Sequence, residues 1–238
     1  MSTNFCMQKS GKVFISRQGS MKTFVVRKKK KAIKYNDYAE FEQKLAKVAG
    51  VVEAINFKVA NGLEDGRVVS WRNEHKIVDI LLDTFDWVYG KNFNRDTGDI
   101  YIKTANFHFP VNIKLIRNNA KSYNNICGLT HNISRLLYGE VAASKVALAE
   151  MIKANGTNFT EEPQQYGILA VNKGTGHVKY ATLFNINDLY INPTNGFQFS
   201  FEKMHRVKRS QKQGQEFLLE AVRSFFEAQA LPYMVING

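Results

Sequence analysis

The first amphipathic helix of the chain is predicted just after residue 35. Asn36 or Asp37 can supply its N-cap, and Gly50 is a natural end for it. Its apolar positions recur at helical spacing and are Phe41, Leu45 and Val48. The apolar residues that follow, as far as Gly66, are too irregular to predict an element.

A second amphipathic helix is predicted to begin at Ser70, which precedes Glu74 in a capping-box-like arrangement. Ile77, Leu81 and Phe85 lie on one stripe of this helix. Glu74 falls on the same stripe and is therefore directed toward the core side. Because a carboxylate is costly to bury without a partner, this position marks Glu74 as a candidate functional residue.

Two strands with alternating apolar residues are predicted next, at residues 99–103 and 109–116. Their core-facing residues are Ile100 and Ile102 in the first strand, and Val111, Ile113 and Leu115 in the second. A hairpin turning at about Asn106 and Phe107 would bring Asp99 roughly opposite Lys114. With Asn112 on the same face as Lys114, one end of this hairpin would gather an acid, an amide and a lysine.

The remaining elements are predicted from the same periodicities and from turn residues between them. Helices are expected at 126–137, 140–153 and 215–229, and strands at 166–171, 177–186 and 197–201. Helices that flank a mixed central β-sheet define the α/β or α+β class. We therefore expect a single domain of this class over residues 36–238.

Positive charge is concentrated at the N-terminus. The chain has 33 Lys and Arg against 21 Asp and Glu, a net charge of +12. Ten of those bases precede residue 35, and the first acid is Asp37. Residues 1–35 therefore form a basic N-terminal arm, with short strands predicted at 12–15 and 23–26. Such an arm suits the phosphate backbone of a nucleic acid, although a solvated or localising segment has the same composition.

Several classes of protein are disfavoured by the sequence. The two cysteines, Cys6 and Cys127, are too few for a disulfide framework or a zinc site. No apolar run reaches the length of a bilayer span, and the N-terminus lacks a signal peptide. The histidines show no metal-ligand spacing, and no phosphate-binding glycine loop is present. We expect a soluble, cytoplasmic protein that does not enter a membrane.

The order of a helix with Glu, a strand starting with Asp and a strand ending in X-X-Lys resembles the PD-(D/E)XK nucleases. Type II restriction endonucleases are the most similar members. The resemblance covers residues 70–139 in pattern. It is carried by Trp71-Arg72-Asn73-Glu74, Thr97-Gly98-Asp99-Ile100-Tyr101-Ile102 and Pro110-Val111-Asn112-Ile113-Lys114.

The resemblance implies a restriction-endonuclease-like core at about residues 70–172 and a Mg²⁺-dependent, site-specific deoxyribonuclease. Asp99 would be the first metal ligand, joined by Glu74 and by the backbone carbonyl of Ile113. Lys114 would orient the attacking water and stabilise charge on the phosphate. Intracellular action in a prokaryote or phage follows from the same resemblance.

Asn112 departs from the family pattern, which has Asp or Glu two residues before the lysine. An amide oxygen can still coordinate Mg²⁺ but adds no negative charge. Glu74 or Asp96 would have to compensate for the missing charge. Asn112 is thus a candidate catalytic residue of a rearranged site, or else it marks an inactive one.

Double-stranded DNA is the partner implied by the resemblance, and a homodimer would cut both strands. Base contacts are expected from the polar stretch after the second strand, namely Arg117, Asn118, Asn119, Lys121, Asn124 and Asn125. Phosphate contacts are expected from the arm, including Lys28, Lys29 and Lys30, and from Arg67, Arg72 and Arg206.

A second function remains open from the sequence alone. A non-catalytic nucleic-acid-binding or phage and viral interaction protein would use the basic arm electrostatically. The amide at Asn112 favours this alternative because it removes a charge that the nuclease reaction uses.

Overall fold

The computed structural model describes residues 6–7, 13–17, 20–24, 36–56, 66–90, 98–116, 123–126 and 129–229. The chain divides into two units, Met1–Tyr35 and Asn36–Gly238. The first unit contains an antiparallel sheet in the order β1-β2-β3. Its strands are β1 (Cys6–Met7), β2 (Val13–Arg17) and β3 (Ser20–Phe24). The two short strands predicted in the arm are confirmed in part, since β2 and β3 overlap them.

The second unit has mixed α/β architecture, as the sequence predicts. Its helices are α1 (Asp37–Ala54), α2 (Gly66–Thr84), α3 (Leu129–Tyr138), α4 (Lys145–Asn155) and α5 (Gln211–Ala228). Its strands are β4 (Val88–Gly90), β5 (Ile100–Lys103), β6 (His108–Ile116), β7 (Tyr123–Asn125), β8 (Gly167–Asn172), β9 (Val178–Thr182), β10 (Tyr190–Asn192) and β11 (Gly196–Ser200). Within the described part of the chain, no helix is both long and apolar enough to cross a membrane.

A five-stranded mixed sheet organises this unit, with strand order β4-β5-β6-β8-β9. β4, β5 and β6 form an antiparallel meander, and β8 pairs parallel to β6. Helices α3 and α4 lie in the connection between those parallel strands, as a parallel crossover requires. β9 returns antiparallel to β8, and β10, β11 and β7 form a separate antiparallel sheet.

The central sheet buries both faces against helices. One apolar cluster joins α1 and α2 to residues of β5, β6 and β8, including Ile113 and Leu169. The other joins α3, α4 and α5 to the opposite face, including Ile168 and Ala170 of β8. Successive residues of β8 therefore face opposite clusters, which explains why this strand is apolar along its length.

The start of α1 is tied to the turn of the β5–β6 hairpin. The buried Asp37 carboxylate accepts hydrogen bonds from Thr104 Oγ1 at 2.8 Å and from the Asn106 side chain at 3.1 Å. Asn36 caps the helix by accepting a hydrogen bond from the Ala39 amide. These contacts hold the turn end of the hairpin against α1, while the other end carries the candidate site.

Several predicted boundaries are wrong because tertiary contacts outweigh local signals. α1 continues past Gly50 to Ala54, and α2 begins at Gly66, so that Ser70 lies inside the helix. Helix α4 begins at Lys145, after its Ser144 cap, rather than near residue 140. The strand expected at 177–186 is confined to β9, and the C-terminal helix begins four residues earlier than predicted. Strands β4, β7 and β10, each three residues long, were not predicted.

Two helical glycines are expected to respond oppositely to alanine. A Cβ at Gly214 of α5 would lie 2.5 Å from Phe184 Cβ, whereas a Cβ at Gly50 of α1 would meet nothing within 4 Å. We expect Gly214→Ala to lower the free energy of unfolding by about 1–3 kcal/mol. Gly50→Ala should raise it by about 0.5–1 kcal/mol because alanine favours the helix. Urea unfolding of both variants measures the difference, and equal effects would contradict the packing at Gly214.

Candidate active site

Asp99 lies at the start of β5 and is held by backbone contacts to β6. Its amide donates to the Val111 carbonyl at 2.9 Å, and its Oδ2 accepts from the Ile113 amide at 2.7 Å. The preceding Gly98 is buried, and a Cβ there would lie 2.9 Å from Pro110 Cβ. The close approach at Gly98 therefore brings the Asp99 carboxylate against the edge of β6.

The register of the hairpin corrects one predicted pairing. Ile100 pairs with Val111, so Asp99 falls opposite Asn112 rather than opposite Lys114. The turn spans residues 104–107, since Lys103 pairs with His108. The resulting shift of two residues leaves Lys114 beyond the end of β5.

Val111 is the last residue of β6 that pairs with β5. Beyond it, the edge of β6 that faces β5 is hydrogen-bonded by the Asp99 side chain instead of by another strand residue. In a β-strand, the amide and carbonyl of one residue point to the same edge. Because the Ile113 amide meets Asp99, the Ile113 carbonyl also points to this edge. The predicted backbone ligand therefore lies beside the predicted carboxylate ligand.

Asn112 and Lys114 project from the same face of β6. Their partners in β8 are Ile168 and Ala170, which belong to the cluster under α3, α4 and α5. Asn112 is 7% exposed, and its Oδ1 has no hydrogen-bond partner among the described residues. An unsatisfied buried carbonyl oxygen costs about 1–3 kcal/mol, so this atom is suited to accept a ligand contact.

Glu74 reaches this region from α2, on the opposite side of the sheet. Burial raises the pKa of the Glu74 carboxyl, and the negative charge of Asp99 raises it further. The positive charges of Lys114, Lys173 and His75 act in the opposite direction on that pKa. The structure thus brings Glu74, Asp99 and Lys114 close enough for their charges to interact, although they come from three elements.

Lys173 is a member of this group that the sequence did not predict. It follows β8, and its amide donates to the Ile116 carbonyl at 2.9 Å at the end of β6. In the sequence, Lys173 begins the predicted turn Lys173-Gly174-Thr175-Gly176, and a lysine in a turn does not indicate a functional site. Parallel pairing of β6 with β8 brings the ends of both strands together and so places the Lys173 charge near Glu74.

The oxygen donors proposed for the site are of the type that a hard divalent cation binds. They come from both faces of the sheet, Asn112 from the face under α3, α4 and α5 and Glu74 from α2. They are the carboxylates of Asp99 and Glu74, the buried Asn112 Oδ1 and the Ile113 carbonyl. Among the described residues, no group of three or more His, Cys, Asp or Glu side chains could hold a metal ion. Mg²⁺ is commonly held by one or two carboxylates together with waters and substrate phosphates, which is the kind of site these donors can form.

Glu74→Gln is expected to stabilise the protein near neutral pH. Because the pKa of Glu74 is raised in the folded state, its ionised form opposes folding at pH values above that pKa. The penalty disappears as the pH falls toward and below the ordinary value of 4.5, where the carboxyl is protonated in both states. Urea unfolding at several pH values should show a gain for the variant that shrinks on acidification.

The exposed Glu220 of α5 provides the control for this measurement. Glu220→Gln removes the same charge from a solvated position, and its effect on stability should be small at every pH. Equal stability of Glu74→Gln and the parent protein at neutral pH would contradict the destabilising effect assigned to the ionised Glu74 carboxylate.

Most of the predicted DNA contacts lie outside the described residues. These are Arg117, Asn118, Asn119, Lys121 and the arm residues Lys28, Lys29 and Lys30, together with the side chains of Arg67 and Arg72. Asp96, the acid predicted to compensate for Asn112, also lies outside the described residues.

Asn124 and Asn125 are described, and they belong to strand β7 rather than to a polar loop. The Asn125 side chain accepts a hydrogen bond from Gln198 of β11. Nearby on this sheet, the exposed Tyr123 and Tyr190 stack with their ring centroids 4.1 Å apart. The amide oxygen of Asn125 is therefore engaged within the protein.

Comparison with protein-family models gives no match to this chain, and comparison with curated proteins gives none either. The chemistry of the site is consequently argued from its own residues and geometry.

Proposed function

We propose that the protein is a Mg²⁺-dependent, sequence-specific endonuclease that hydrolyses phosphodiester bonds of double-stranded DNA. The proposal includes a homodimer, in which each subunit cuts one strand, and a restriction-endonuclease-like core within residues 36–238. It also includes intracellular action, as the resemblance to type II restriction enzymes implies.

One observation carries the proposal. The charges of Asp99, at the start of β5, and of Lys114, in β6, both act on the pKa of the Glu74 carboxyl in α2, although the three residues are far apart in sequence. Two carboxylates that share a site with a lysine are the group types needed to hold a cation and stabilise a phosphate.

The order of elements around this group gives further support. A helix with Glu74 precedes an antiparallel pair of strands with Asp99 and Lys114, and helices then lead to a parallel strand. This is the order on which the resemblance to the PD-(D/E)XK nucleases rests. The candidate site lies where the pairing of β5 with β6 stops, at Asp99, while β6 continues to Ile116.

Each residue of the group has a distinct role in the proposed reaction. Lys114 donates hydrogen bonds to the scissile phosphate or to the attacking water and stabilises the negative charge that grows on the phosphate. Asp99 and Glu74, with Asn112 Oδ1 and the Ile113 carbonyl, would hold the Mg²⁺ ion. The bound ion would act as a Lewis acid at the phosphate and lower the pKa of a coordinated water.

The activity is tested by incubating the full-length protein with a large duplex DNA in Mg²⁺ or in Ca²⁺ alone and sizing the products. We expect discrete fragments with Mg²⁺, none with Ca²⁺ alone, and none after chelation of the metal. Intact DNA under every metal condition, with retarded mobility on a gel, would reject the nuclease.

A non-catalytic nucleic-acid-binding protein is the second candidate, and it is favoured by Asn112. The amide supplies an oxygen without charge, so the site holds one negative charge fewer than the nuclease pattern. This candidate predicts DNA binding that is indifferent to Mg²⁺, falls steeply with salt and is largely lost on removal of residues 1–34. Salt-sensitive binding that survives the truncation would argue against it.

A further inference from the structure

A basic cleft lies between the start of α1 and residues 206–211. Its volume is about 550 Å³, within the range of small-molecule sites. Three cations line it, Arg206, Lys208 and Arg209, against one acid, Glu42. Arg206 is predicted from the sequence only as a further phosphate contact, because no local pattern indicates that it lies near the beginning of α1.

The cleft is separate from the candidate active site. Its lining includes Phe184 and Asn185, which follow the end of β9 where Thr182 pairs with Gly167. Lys173 of the active site lies beyond the other end of β8. The six residues of β8 put Lys173 about 17 Å from the cleft end of the strand. None of the other candidate active-site residues lines the cleft either.

The segment that carries the three cations is held in place by backbone hydrogen bonds. The Val207 amide donates to the Asn185 carbonyl at 2.7 Å, and the Asn187 amide donates to the His205 carbonyl at 3.0 Å. Ile186 and Arg206 form an antiparallel bridge between these contacts. The cationic wall of the cleft is therefore preorganised, which reduces the entropy lost on binding.

Arg209 adds a fixed positive charge to this wall. Its guanidinium donates to the Ile186 carbonyl at 2.6 Å and to the Phe184 carbonyl at 3.2 Å. It also lies 4.1 Å from the centroid of the Phe217 ring. These contacts satisfy its donors without neutralising its charge, so the field of Arg209 persists in the cleft.

Arg206 and Lys208 are exposed and can reach a ligand directly. The Arg206 guanidinium lies 4.4 Å from the centroid of the Tyr180 ring, which orients its plane. In the described part of the chain, neither residue forms an ion pair with a carboxylate within 4 Å. A planar guanidinium beside an ammonium is a combination that proteins use to bind phosphate.

The one acid of the cleft is already engaged. Glu42 Oε1 accepts a hydrogen bond from Asn185 Nδ2 at 2.6 Å. Burial raises the pKa of the nearby Tyr38 hydroxyl to about 12, so this group stays neutral. The cleft therefore carries a net positive charge that favours an anion over a neutral ligand of the same size.

We propose that this cleft binds the phosphate of a nucleotide, either free or within a strand. Arg206 and Lys208 contact the phosphate oxygens. Arg209, held in place by the Phe184 and Ile186 carbonyls, attracts the phosphate by its positive charge. The concave shape and the size of the cleft suit one nucleotide unit rather than an extended face of a duplex. The proposal is independent of nuclease activity, because none of the residues that line the cleft belongs to the candidate active site.

Calorimetric titration of the full-length protein without divalent metal tests the proposal, with adenosine 5′-monophosphate, adenosine and a short single-stranded oligonucleotide as probes. The cleft variant is Arg206→Gln with Lys208→Gln. The control variant is Lys203→Gln with Lys212→Gln, which removes the same charge from exposed positions outside the cleft. Arg209 is left unchanged because it holds the backbone together.

We expect the monophosphate to bind and adenosine not to bind. The affinity of the cleft variant for the monophosphate should be lower by about tenfold or more, since the variant loses charge-assisted hydrogen bonds. The affinity of the control variant should stay within about twofold of the parent value. If only the oligonucleotide binds, and the cleft variant but not the control variant loses affinity for it, the cleft binds the phosphate of a nucleotide within a strand.

Three outcomes would overturn the proposal. They are the absence of binding by every probe, binding of adenosine as tight as that of the monophosphate, and equal losses in the cleft and control variants. Thermal unfolding checks that the cleft variant is folded. If it is not, the single variant Lys208→Glu, at an exposed position, replaces it with the same expected loss.

Discussion

Asp99→Asn is expected to lower the rate of Mg²⁺-dependent DNA cleavage by about 100- to 1000-fold or more while the protein stays folded. The asparagine oxygen can still accept the hydrogen bond that Asp99 Oδ2 receives from the Ile113 amide. The geometry at the start of β5 is therefore kept, and only the negative charge is removed. The measurement is the initial rate of cleavage of a duplex DNA, with urea unfolding as the check on stability.

Asp79→Asn is the matched control for this variant. Asp79 is exposed on α2, five residues and about 1.4 turns beyond Glu74, and takes no part in the proposed site. Its loss of charge should leave the cleavage rate within about twofold of the parent rate. Full cleavage by Asp99→Asn would remove Asp99 from the catalytic group and, with it, the main support for the nuclease.

Lys114→Ala is expected to lower the cleavage rate by about 1000-fold with DNA binding retained. The ammonium is proposed to stabilise charge that develops only during phosphodiester hydrolysis, so its removal affects the reaction more than the bound substrate. A gel-shift assay in Ca²⁺ reports binding, and cleavage in Mg²⁺ reports the reaction. The two readouts separate a catalytic role from a contribution to affinity.

A lysine in the same hairpin supplies the comparison. Lys103, at the turn end of β5, is exposed, and its Nζ lies 5.9 Å from the centroid of the Tyr89 ring. Lys103→Ala removes the same charge from the hairpin at a distance from Asp99. Equal losses of cleavage in both lysine variants would indicate general electrostatic attraction of DNA rather than a role for Lys114 in the reaction.

Local periodicity predicted the strands of the central hairpin well. Residues 99–103 and 109–116 differ by one residue at one end from β5 and β6, because one face of each strand is uniformly apolar. The same reasoning identified the position of Glu74, since a helical stripe reports which side chains face the core. Mixed α/β class follows from these elements and is confirmed.

The register at the site was harder to predict. Asp99 falls opposite Asn112 because the turn is centred between residues 105 and 106, one residue earlier than predicted, and the position of the turn decides the pairing. Strand β7 was missed because Tyr123–Asn125 is polar and gains its partner only from β11. Residues paired in this way are more than 70 positions apart, and no local pattern encodes such a contact.

The sequence by itself determined the five described helices and the longer strands to within a few residues, the buried face of the central hairpin, and that an acid, an amide and a lysine share that hairpin. Only the tertiary structure decided that Lys173 joins Glu74 and that Arg206, Lys208 and Arg209 face the start of α1. The physical reason is that burial of a periodic apolar face depends on near neighbours along the chain. The meeting of charged groups depends instead on strand order, parallel pairing and the packing of distant segments, which arise only when the sheet is assembled.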